Sequence, residues 1–105
     1  MTLVFIDGRN VQRSQWPNLS DEELLERANA WAGRHGHELV VVFDGPAPAG
    51  AVGTKDESAD DWLIREVPKH PGAWLVTSDR ALRDAAAANA ERVIGGGGFL
   101  RELEK

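Results

Sequence analysis

The chain has 105 residues, a net charge of −5 and no cysteine. That length suits one layered core rather than two, and the missing thiols exclude a disulfide framework, thiolate metal sites and a cysteine nucleophile. The acidic balance argues against a binder relying on bulk basic charge, although four carboxylates gathered around a divalent ion would account for most of it, so a nuclease stays open. Hydrophobic residues make up 42%, within the globular range. No basic segment opens the chain ahead of an apolar leader, and no apolar run approaches the ~20 residues that span a bilayer. The expectation is a single domain over 1–105, cytoplasmic, with no membrane partner.

In chain order, Leu3 to Ile6 reads as a buried strand that ends on Asp7 and Gly8. A polar loop is expected over Gln12 to Leu19. "SDEELLERANAWAGRHG" is a helix with both ends marked: Ser20 and Glu23 form a capping box, and Gly33 or Gly36 can end it. Leu24, Ala28 and Trp31 share its buried face. "ELVVVFDG" is a second buried strand ending on Asp44, followed by a loop rich in Pro, Gly and Ala. "SADDWLIREV" is a short helix stopped by Pro68, and "GAWLVTSD" is a third strand ending on Asp79. "RALRDAAAANA" is a helix of high alanine propensity. "ERVIGGGG" is a short fourth strand with a glycine exit, and "FLRELEK" is a terminal helical turn or two.

Strands alternating with helices indicate an α/β domain, three-layered and Rossmann-like, with a parallel sheet and helices on both faces. The expected sheet has four strands in the order 2-1-3-4. Its switch point would fall between the first and third strands, where ligands of such sheets collect beyond the carboxyl ends.

Asp7, Asp44 and Asp79 each end a strand, so a parallel sheet would bring them to one edge. Asp60 lies at helical spacing from Leu63, Ile64 and Val67 and so heads the buried face of its helix. Its neighbour Asp61 aligns with Arg65 and can answer Ser58 as a cap. Converging carboxylates resist ionising without a cation, and an all-oxygen set suits Mg²⁺ or Mn²⁺. Each aspartate alone also reads as turn or cap chemistry, Asp7 and Asp44 before glycine and Asp79 ahead of a helix.

"VFIDGRNV", "VVFDGPAP", "SADDWLIREV" and "LVTSDRALRDAAAANAERVIGGGGFLREL" resemble the NYN domain, in particular its YacP-like branch, within the PIN-like nuclease superfamily; the likeness covers nearly the whole chain. The resemblance implies a metal-dependent ribonuclease or a fold descended from one. Asp7, Asp60 and Asp79 match the family's acidic metal-binding positions, and Asp44 matches the acid ending the second strand. Asn10 matches the polar residue after the first aspartate, placed to orient a water or a phosphate. Arg9 departs from the aromatic residue often found there. On this reading the chain is a divalent-metal-dependent endoribonuclease, with RNA as partner and a ribosome or a second copy of the chain left open.

Arg9, Arg13, Lys55, Arg80 and Arg83 fall near the acidic edge. Arg9, Arg13 and Arg80 are the candidates for RNA contact, the alternative being ordinary solvated charge. Trp16 and Trp62 could stack on a base, although packing explains them more simply. Trp31 and Trp74 read as core, and His35 and His37 as favouring a helix C-terminus. The glycines 95–98 do not form a phosphate loop, since no Lys-Ser/Thr follows; they read as a turn and a close approach before Phe99. Three rivals compete with the nuclease. A non-catalytic RNA- or ribosome-binding module would keep the fold. A receiver-like domain needs an acidic pair at the first strand and a late strand ending in lysine, which are missing. A haloacid-dehalogenase-type phosphatase needs an aspartate where Arg9 stands.

Overall fold

Alternation along the strands sends successive side chains to opposite faces of one sheet, and the core divides accordingly. In β1 (Thr2–Asp7), Val4 and Ile6 join one buried cluster and Phe5 the other. In β2 (His37–Phe43), Val41 and Phe43 go with the first and Val42 with the second. β4 (Trp74–Val76) does the same with Val76 and Leu75. The computed structural model describes residues 1–86 and 88–104. Ala87, inside the expected alanine-rich helix, and Lys105, at the end of the terminal one, lie outside the described residues.

Three helices cover the first face: α1 (Gly8–Gln12), α2 (Asp21–His35) and α5 (Gly96–Leu103). They contribute Val11, Leu24, Ala28, Trp31, Phe99 and Leu100 to its cluster. The opposite face is covered by α3 (Ala59–Glu66) and α4 (Arg80–Ala86), through Leu63, Leu82 and Ala86. The result is helix, sheet, helix in three layers. Among the described residues no helix is long and apolar enough to cross a membrane.

The expected four-stranded sheet in the order 2-1-3-4 needs correction. Among the described residues the sheet has five parallel strands, ordered β3-β2-β1-β4-β5, with β5 at Arg92–Ile94. The added strand, β3, is Val52–Gly53, paired with Val42 and Phe43 at the edge. Val52 is its one apolar residue, too little to show a period. It exists because the loop folds back, with Thr54 N–H donating to the Phe43 carbonyl (3.0 Å) and Gly45 N–H to Thr54 Oγ1 (3.2 Å).

Local chemistry explains most element boundaries. Glu23 N–H donates to Ser20 Oγ at 3.1 Å to start α2, and Gly36 ends it in the left-handed region (φ 69°), so Gly36 rather than Gly33 is the stop. Asp61 N–H donates to Ser58 Oγ (3.1 Å) at the start of α3. Its last turn passes into a 3₁₀ turn at Val67–Lys69, where Pro68 cannot continue an α-helix. The short helix α1, to which the sequence assigned no element, begins at Gly8 with no loop after β1, and the irregular chain starts at Arg13, one residue after the expected Gln12. Gly96 to Gly98 likewise form the first turn of α5 instead of a free turn.

The aromatic residues sort unequally. Trp31 is buried against Phe99. Trp74 is half-buried beneath Arg92, and Trp62 is half-buried edge-on to Phe5. Trp16, for which loop packing was the simpler expectation, is 89% exposed. His35 lies in the last turn of α2, whereas His37 belongs to β2 and stacks on it, with its basicity lowered by burial and then by His35.

Candidate active site

β1 sits in the middle of the sheet, with β2 on one side and β4 on the other, so the carboxyl ends of these strands share one edge. Asp7 is the last residue of β1, and Asp44 directly follows β2. Asp79 stands between β4 and α4, and Asp60 is in the first turn of α3. All four line one cavity of about 180 Å³, together with Arg9, Asn10, Arg13, Ser58 and Ala59. Asp60 is half-buried and Asp61 exposed, as the helical period requires once Leu63 faces the sheet.

Direct bonds fix two of the acids. Thr77, fully buried, donates its hydroxyl to Asp7 Oδ2 at 3.0 Å and accepts the backbone N–H of Asp79 at 3.1 Å. Asp79 Oδ1 in turn accepts the Leu82 N–H at 3.0 Å and so caps α4. Asn10 Oδ1 accepts the Ser78 N–H at 2.7 Å, and Ser78 Oγ accepts the Gly96 N–H at 2.7 Å. The starts of α1, α4 and α5 are thereby tied together around the cavity. Thr77 did not stand out in the sequence, and Ser78 reads there, like Asp79, only as a cap for the helix that follows. The one signal was a pair of hydroxyl residues between a buried strand and its terminal aspartate.

The glycines at this edge allow close approach. A Cβ on Gly8 would lie 2.6 Å from the Phe43 ring. On Gly96 it would collide with the Ser14 hydroxyl and crowd Asn10 Oδ1.

Electrostatics at the cavity are unfavourable to free carboxylates. Burial pushes the Asp7 carboxyl up to about 6; the Thr77 hydroxyl and the Asn10 backbone N–H act against that, and the charges of Asp60 and Asp79 add to it. Asp60 is raised by burial first, then by Asp79, Asp44 and Asp61. The donor set is all oxygen, which fits a hard divalent cation. Among the described residues, however, no three Asp, Glu or His side chains form a ready-made metal cluster.

The basic candidates separate. Arg13 lines the acidic cavity with no partner for its guanidinium among the described residues. Arg9 lines it too, but its Nη1 donates to Asp21 Oδ1 (2.7 Å) and Gln12 Oε1 (3.0 Å), and its guanidinium lies over the Phe43 ring. It therefore locks α1 to the start of α2 before it can grip anything else. Arg80 does not line this cavity; it lines a neighbouring one with Arg83.

No protein-family model matches the chain, and no curated protein matches it. Solved structures do. One crystal structure of Rae1 (YacP) from Bacillus subtilis, a point mutant, superposes with a TM-score of 0.82 at 22% identity, covering 99% of this chain and 76% of that one. Another crystal structure of Rae1 (YacP) gives 0.75 at 21% identity, covering 99% and 74%. At that identity the likeness is one of fold: the chain has the architecture of the YacP structures over nearly its whole length.

Proposed function

We propose that the chain is a PIN-like, divalent-metal-dependent endoribonuclease of the YacP type, hydrolysing phosphodiester bonds in accessible RNA. The observation that carries this reading is the meeting of Asp7, Asp44, Asp60 and Asp79, from four separate segments, in one cavity. Shared fold with the YacP structures supports it, as does the resemblance of the motifs to that branch.

Asp7, Asp60 and Asp79 would hold Mg²⁺ or Mn²⁺, with Asp44 completing the oxygen shell directly or through water. When bound, the ion would offset the converging charge, acidify water and stabilise the leaving oxygen. The protein's own part is placement. Thr77 holds Asp7 and the Asp79 backbone in fixed relation, which is the orientation such chemistry needs. Asn10 has its Oδ1 occupied by Ser78, so its NH₂ group is left to orient a water or a phosphate oxygen. Arg13 supplies positive charge to the phosphate at the cavity mouth.

The test is cleavage of a labelled single-stranded RNA in Mn²⁺ or Mg²⁺, against EDTA and against Asp7→Asn prepared identically. Cleavage should require the metal and fall on the order of 100-fold or more in the variant. Equal activity in both preparations would point to a contaminant and sink the reading. The second reading is a non-catalytic RNA- or ribosome-binding module, favoured by the lack of a ready-made metal cluster among the described residues. It takes over if the RNA stays intact and neither cation shifts the melting temperature.

A further inference from the structure

A second cavity, of about 320 Å³, lies beside the acidic one. Ser78, Arg80, Arg83, Asp84 and Val93 line it, while Asp79, between Ser78 and Arg80 in the chain, lines the acidic cavity. Ser78 and Asp79, adjacent in the chain, thus line different hollows.

Several other arginines of the chain are already engaged. Arg9 pairs with Asp21, Arg27 with Glu23 and Arg65 with Glu57 and Glu66, while Arg92 covers Trp74. Arg80 and Arg83 are exposed, and among the described residues neither guanidinium has a partner. They stand three apart on α4, so they neighbour each other along the helix surface. Two unpaired guanidinium forks in one hollow of an acidic protein form a receptor for an anion with several oxygens. Ser78 Oγ already accepts the Gly96 N–H, which leaves its hydroxyl hydrogen to donate into the cavity. Val93 adds an apolar wall that a sugar or base can lie against. Asp84 is the one opposing charge in the lining.

We propose that this cavity holds a backbone phosphate of the RNA strand flanking the phosphate to be cut, gripped by Arg80 and Arg83 with Ser78 as a hydroxyl donor. The substrate must then continue past the cut on the α4 side, and Arg83 joins Arg80 as a determinant of that requirement. The choice of RNA rests on the ribonuclease reading; the place and the charge of the receptor rest on the cavity.

The experiment is binding of a short labelled oligouridylate to the full chain as salt is raised, with Ca²⁺ present to offset the carboxylates without relying on turnover. The proteins are the wild type, Arg80→Gln/Arg83→Gln and Asp84→Asn, each checked for folding by circular dichroism. The double variant should bind roughly tenfold more weakly, and the slope of log affinity against log salt should become shallower by about 0.7 for each phosphate no longer neutralised. Asp84→Asn should bind about two- to threefold more tightly, because a charge opposing the phosphate is gone. A double variant with wild-type affinity and slope overturns the proposal, as does a wild type that binds no RNA. Melting shifts with Mn²⁺ should be the same in the wild type and the double variant. If the arginine effect is present but the wild type never cleaves, the nuclease reading fails alone. If Mn²⁺-dependent cleavage is present but the arginines leave binding unchanged, the phosphate receptor fails alone.

Discussion

Thr77 uses one buried hydroxyl twice, as donor to Asp7 and as acceptor from the Asp79 amide. Thr77→Val keeps the shape and removes both bonds. A buried carboxylate then loses its side-chain donor, which costs about 1–3 kcal/mol, and Asp7 moves still further up, since the larger of the two hydrogen bonds that oppose the effect of burial is gone. The expected result is a lower melting temperature and metal-dependent cleavage about tenfold slower, with Thr77→Ser recovering most of both. A valine variant that cleaves at the wild-type rate would remove Thr77 from the positioning role. At this scale the sequence is readable where a residue breaks a local pattern. Asp7 and Asp44 each end an apolar run, Asp79 follows one after two hydroxyl residues, and Asp60 differs from Asp61 by helical phase alone. Thr77 breaks no pattern, because threonine is at home in a strand. Arg80 and Arg83 carry no mark in the sequence that assigns them to a different hollow from Arg13.

Short elements owe their existence to neighbours in space. α1 has five residues and starts without a connecting loop, too few for an apolar period to show. Its first residue must be glycine: a Cβ at Gly8 would come within 2.6 Å of the Phe43 ring and 3.0 Å of the Val42 carbonyl oxygen. Phe43 is fully buried and has no room to yield. Gly8→Ala is therefore expected to cost about 1–3 kcal/mol, seen as a melting temperature lowered by roughly 5–15 °C. An alanine variant that melts with the wild type would show that β1 and α1 can separate. Gly96 to Gly98 illustrate the opposite conflict. Glycine is about 1 kcal/mol worse than alanine in a helix, so three in a row read as a turn. The helix forms regardless, since only a residue without Cβ lets α5 start against Ser14 and Asn10. β3 depends in the same way on a loop closing back over Phe43.

Across the whole molecule, the acidic edge sets how stability responds to pH and to cations. The Asp7 carboxyl goes from its ordinary 3.8 to about 6 in the folded chain. The folded state therefore binds more protons between those values, and metal-free stability falls as pH rises through that window, reaching its lower level above about 6. Asp7→Asn removes this penalty. In EDTA near neutral pH it should melt higher than the wild type, by about 1–3 kcal/mol of stability, with the difference gone below about pH 4. Mn²⁺ should raise the melting temperature of the wild type by mass action and leave the variant nearly unmoved. A variant no more stable than the wild type in EDTA would mean that Asp7 is not held under charge stress. The amino-acid sequence alone determined the alternation of strands and helices, the capped ends of α2 and α3, the layers and the strand-end aspartates, because each follows from periodicity and cap chemistry within a few residues. The tertiary structure alone decided the fifth strand, the glycine start of α5, the role of Thr77, the anchoring of Arg9 and the separate cavity of Arg80 and Arg83. Those features rest on contacts between distant parts of the chain, such as Asp7 with Thr77 and Asn10 with Ser78, and no local pattern encodes which distant side chain will arrive.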